Sequence, residues 1–143
     1  MRFPIAATGL ACTAAAAALV VSTGTAAAAD GNTKTTIYTL ANPGICGGII
    51  DAGVGHYPGS AALGLTGVLV GVGPCSVQLT FNFKRQGDGA VASYTRTLNG
   101  PGPVGTSKDV VGPGIGIWDV TVTSNAPSFG AQPMLLDIQP YQG

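Results

Sequence analysis

Asp51, His56, Tyr57 and Ser60 stand close together, and by residue type they are the part of the chain best suited to chemistry. A carboxylate, an imidazole and a hydroxyl in the order Asp-His-Ser are the components of a hydrolytic triad, in which the acid orients the imidazole and the imidazole takes the hydroxyl proton. Type alone does not make a triad. The segment Gly53-Val54-Gly55-His56-Tyr57-Pro58-Gly59-Ser60 reads as a glycine-rich loop with an exposed His and a Tyr packed beside Pro58. In that setting Asp51, His56 and Tyr57 are expected to contact a ligand rather than to catalyse.

The absences point the same way. The chain has no Glu, so a glycosidase or protease mechanism would have to run on Asp alone. It has one His, no Gly-x-Ser-x-Gly and no His-Glu-x-x-His. The glycines at 64, 67, 71 and 73 lie in a strand-like run and lack the Lys and helix of a phosphate-binding loop. No Asp-x-Asp run marks a calcium loop, and two cysteines with one His make a poor zinc site. No enzyme, cofactor or metal is therefore expected. Trp118 and the tyrosines 38, 57, 94 and 141 could stack on sugar rings, and Trp118 is carried forward as a ligand-binding candidate. Its parity, however, matches Val120 and Val122, which would place it in a core.

The elements that must position these residues are strands. Val77, Leu79, Phe81 and Phe83 alternate with Gln78, Thr80, Asn82 and Lys84, giving one face to a core and the other to water. A first strand is expected over residues 33–40 and a short one over 46–52. The apolar run 61–72 is expected to be a strand buried on both faces, a membrane-inserting hairpin being the alternative. Asp88-Gly89 signals a hairpin between the central strand 76–86 and a strand over 90–98. Residues 99–103, with two prolines, read as a loop that no ladder could continue through, followed by a short edge strand over 106–111. Segments 115–124 and 134–141 alternate and should pair as a last hairpin. Seven or eight short strands with no helical period predict an antiparallel β-sandwich, immunoglobulin-like or jelly-roll.

Residues 1–29 read as a cleaved secretory signal: a single positive charge at Arg2, an apolar tract over 14–21, and a run of small residues before Asp30. Residues 30–143 then form one domain with five positive and six negative side chains. With no basic face, nucleic acid is not an expected partner, and no stable membrane insertion is expected from so short an apolar tract. Losing Cys12 with the signal leaves Cys46 and Cys75, expected as a disulfide in an exported chain. The expected function is a secreted, extracellular, non-catalytic binding module that recognises an extracellular protein or a cell-envelope or glycan surface through its loops. A small-molecule carrier with an apolar cleft near residues 63–72 and Trp118, or an inhibitor of secreted hydrolases, are the alternatives.

Overall fold

The computed structural model describes residues 33–143. The signal read over residues 1–29 lies outside the described residues. Seven strands follow in order: β1 (Lys34–Tyr57), β2 (Ser60–Arg85), β3 (Val91–Gly100), β4 (Gly102–Val111), β5 (Gly116–Ser124), β6 (Ser128–Phe129) and β7 (Met134–Ile138). Every strand pairing is antiparallel. Among the described residues there is no helix.

β2 is the spine, and it is paired along both of its edges. β1 takes residues 60–76 on one edge and β5 takes 79–85. On the other edge β4 takes 61–69 and β3 takes 75–84. β7 extends the sheet beyond β5, and β6 adds two residues to β1. One parity of β2 is buried on either side of an exposed middle at Gly71 and Gly73: Ala61, Leu63, Leu65, Leu69, Cys75, Val77, Leu79, Phe81 and Phe83. These side chains join Ile50, Trp118, Val120, Leu136 and Ile138 in one cluster. Each of the large ones removes enough apolar surface from water to contribute ~2 kcal/mol.

Four expectations change. The separate strands over 33–40 and 46–52, and the loop over 53–60, are all parts of β1, which turns only at Pro58-Gly59. Likewise 61–72 and 76–86 are halves of β2. The glycines of the run 61–72 sit within the ladder, where neighbouring backbones approach too closely for a side chain. A Cβ on Gly67 would lie within the van der Waals shell of the Ile49 carbonyl oxygen, and one on Gly71 would meet that of Ile45. The run 61–72 is buried on one face only, and Val68, Val70 and Val72 face outward. Residues 99–103 do not end the ladder, which resumes at Gly102 opposite Leu69 with only Pro101 left out.

A register shift between Pro43 and Ile45 changes which face β1 buries. Before it the buried residues are odd-numbered (Thr35, Ile37, Thr39, Ala41), and after it they are even (Cys46, Ile50, Ala52, Val54). The first stretch of β1 then lies beside its own later stretch, with the Val54 N–H donating to the Thr33 carbonyl at 2.9 Å. The expected disulfide is present: Cys46 and Cys75 are bridged, with Cα atoms 6.3 Å apart. It closes a span of 29 residues, and loop-closure entropy makes such a bridge worth ~3.5 kcal/mol.

Candidate functional site

The bulge in β1 builds a surface that spacing along the chain does not reveal. On the face turned away from the core, Asp51 stands opposite Thr66 and Gly53 opposite Gly64. The returning first stretch of β1 adds Lys34, Thr36 and Tyr38 beside them, and Gln132 closes one side. Together they line a cleft of about 760 Å³. Its floor is open at Gly64, where nothing lies within 4 Å of a Cβ position, while at Gly53 the Lys34 stem and the Thr33 carbonyl lie 3.6 Å from that position.

Polar groups are fixed around that floor. Thr36 Oγ1 donates to Asp51 Oδ1 at 2.6 Å, which holds the carboxylate in place. A carboxylate offers about four acceptor positions, so Asp51, which is exposed, can accept further hydrogen bonds from a ligand. The Gln132 N–H donates to the buried Thr35 Oγ1 at 2.7 Å, pinning the segment that forms the cleft's far wall. Tyr38 stacks on Phe129 with ring centroids 5.0 Å apart and planes 11° from parallel. The Tyr38 ring also borders a second, apolar cleft of about 600 Å³, lined by Leu40, Gly47, Gly48, Ile49, Pro127 and Phe129. The aromatic pair is thus the wall between a polar cleft and an apolar one.

The residues singled out from sequence are dispersed. Asp51 lines the polar cleft. His56 has the opposite strand parity, lies five residues further along β1, roughly 16 Å in an extended chain, and borders a different recess with Pro58, Gln139 and Tyr141. Tyr57 is exposed at the hairpin tip opposite Ser60, and the tip is tied to the C-terminal segment by the Gly59 N–H donating to the Gln139 carbonyl at 3.0 Å. Asp51, His56 and Ser60 therefore do not share a face. Trp118 is 1% exposed and cannot stack on a ligand at the surface. Its Nε1–H donates to the Gly114 carbonyl, Phe83 meets it edge-on, and the Arg85 guanidinium covers the ring at 5.3 Å.

Arg85 is itself held by a two-point contact with Asp88, Nε to Oδ1 at 2.9 Å and Nη2 to Oδ2 at 2.6 Å. Those hydrogen bonds, helped by the Ala90 N–H, lower the Asp88 carboxyl to about 2. Arg96 and Asp109 pair across β3 and β4. Among the described residues no group of three His, Cys, Asp or Glu side chains could hold a metal ion, and no helix is long and apolar enough to cross a membrane.

Thr36, Thr66, Gln132 and the paired glycines were not legible as site residues. Thr36 reaches Asp51 only through the bulge, and the glycines face each other only in the folded register. The one signal available was the alternation of Gly64 and Thr66 with Leu63 and Leu65, which marks the outward face. Compared with protein-family models, curated proteins and solved structures, the chain matches none of them.

Proposed function

We propose that the chain is a secreted, non-catalytic β-sandwich binding module, immunoglobulin-like or jelly-roll in type, that holds a glycan of an extracellular or cell-envelope surface in the polar cleft of β1 and β2. The observation that carries this reading is the register that sets Gly53 against Gly64 directly beside Asp51 against Thr66. A sugar ring presents a flat C–H face and a rim of hydroxyls. The glycine floor suits the first; Asp51, Thr66 and Gln132 suit the second, and the Tyr38 ring offers an apolar wall. This reading puts binding on a strand face, where the sequence led to an expectation of binding through loops.

Pull-down of purified residues 30–143 on insoluble cell-wall polysaccharides, followed by calorimetry with soluble oligosaccharides of the retained polymer, tests the reading. Asp51→Asn removes the charge from an acceptor and should weaken binding about tenfold, the range of one charge-assisted hydrogen bond. Retention on no polysaccharide, or equal affinity in the Asp51→Asn variant, refutes the glycan assignment. Hydrolysis of a substrate panel that is abolished by His56→Ala would refute the non-catalytic one.

A further inference from the structure

The outward face turns from polar to apolar at the same row on three neighbouring stretches of strand. Asp51 and its register partner Thr66 are followed, two residues along, by Ile49 and its partner Val68, both exposed. In the first stretch of β1, Thr36, which donates to Asp51, is followed by Tyr38 and Leu40. Successive residues on one face of a strand stand about 7 Å apart, so a group hydrogen-bonded to Asp51 is one such step from Ile49. Asp51 lines the polar cleft, Ile49 lines the apolar one, and Tyr38 borders both. The apolar cleft measures about 600 Å³, and among the described residues no charged side chain lines it. That is the size of a small-molecule site.

We infer that the two clefts are one site for an amphiphile, a sugar whose hydrocarbon chain runs from the polar cleft along β1 into the apolar one. The inference rests on the glycan reading of the polar cleft and adds the class of glycan, one that carries an acyl or alkyl chain. The shared boundary selects this occupant. A plain oligosaccharide would leave the apolar cleft unfilled, and a fatty chain alone would leave the Asp51 acceptors unmatched. A ligand with both parts fills both cavities across the single step from Asp51 to Ile49. Its chain would also cover Leu40, Ile49 and Phe129, which are exposed in the free protein.

Calorimetry on residues 30–143 with methyl, butyl, hexyl and octyl β-glucosides and β-galactosides, each below its micelle concentration, tests the inference. Each methylene that enters the apolar cleft should tighten binding roughly fourfold, and Asp51→Asn should weaken every member of a series by the same factor. Gly47 lines the apolar cleft, with the Leu40 side chain 3.4 Å from where its Cβ would be. Gly47→Val therefore fills that cleft and should flatten the dependence on chain length, leaving the methyl glycosides unaffected. Leu40→Asn, on the opposite side of the same cleft, serves if Gly47→Val does not fold. Affinity independent of chain length in both series overturns the inference. So does an unchanged dependence in either variant, natively folded, and so does octyl phosphocholine bound as tightly as the octyl glycosides, since the chain would then be held without the sugar. The glycan reading is tested separately on sugars without a chain, so their binding together with a flat alkyl series refutes the two-cleft ligand alone.

Discussion

Gly67→Ala should cost the fold ~3 kcal/mol or more, while Gly64→Ala, the same change three residues earlier on the same strand, should stabilise it. Gly67 lies between Ile50 of β1 and Val104 of β4, with both edges of its backbone in ladders. An added Cβ would meet the Ile49 carbonyl oxygen inside contact distance and Ile50 Cα at 2.8 Å. Both obstacles are backbone, and β4 prevents β2 from sliding away, so the β1 ladder has to open. Two disrupted backbone hydrogen bonds at 1–3 kcal/mol for each group left unsatisfied give the figure of about 3 kcal/mol, or roughly 15 °C in melting temperature for a domain of this size. A Cβ on Gly64 meets nothing within 4 Å, and restricting the unfolded chain there should add ~0.5 kcal/mol. Urea unfolding followed by circular dichroism at 218 nm (the usual β-sheet minimum, at roughly that wavelength) gives both values. If Gly67→Ala unfolds within about 1 kcal/mol of wild type, or if both variants lose stability equally, close backbone packing is not the reason for glycine at position 67. Because Gly64 floors the polar cleft, the stabilised Gly64→Ala protein should also bind the proposed glycan more weakly.

Trp118, the only tryptophan in the chain, should emit at short wavelength and resist quenching by iodide. A red-shifted, quenchable band would mean that the ring is in water and the core between β2, β5 and β7 is open. Stability should also fall in acid through a group far from both clefts. The Asp88 carboxyl is lowered to about 2 by Arg85, below its value in the unfolded chain, near 4. The unfolded state therefore binds the extra proton in between. The Arg85–Asp88 contribution is complete above pH ~4 and is lost as pH falls towards ~2. Asp88→Asn should flatten that part of a stability profile measured by urea unfolding at several pH values, and an unchanged slope between pH 4 and 2 would refute the assignment.

How much of this was legible follows from where the two faces of a strand differ. Residues 77–83 alternate strictly because one side is core and the other water, and the structure buries Val77, Leu79, Phe81 and Phe83 as the alternation required. The pairing of β5 with β7 was legible for the same reason, Trp118 standing opposite Leu136, although β6 lies between them in the chain and pairs with β1, so the two do not form a hairpin. Along 61–72 both sides are apolar, so the alternation was masked and burial on both faces was the natural reading; Val68, Val70 and Val72 face outward instead. Gly73 and Pro74 fall between the two strands expected over 61–72 and 76–86. They mark the irregular middle of β2, where Gly73 takes a φ of +77° opposite the β1 bulge. Charge and spacing drew attention to Asp51 and His56 together, but parity separates them, and Thr36, the residue that does reach Asp51, is 15 positions away.

Placing the cleft on strands rather than loops changes what controls binding. The β1–β2 hairpin is held at one end by the Cys46–Cys75 bridge and at the other by the Gly59–Gln139 hydrogen bond, so little chain has to be ordered when a ligand arrives. On the proposed reading, affinity depends on Asp51, Thr66 and the glycine floor more than on loop closure. At the edge of the cleft Tyr38 and Phe129 are both exposed and stack on each other. Tyr38 borders both the polar cleft and the apolar one, so the ring that would wall a bound sugar is itself held in place by Phe129.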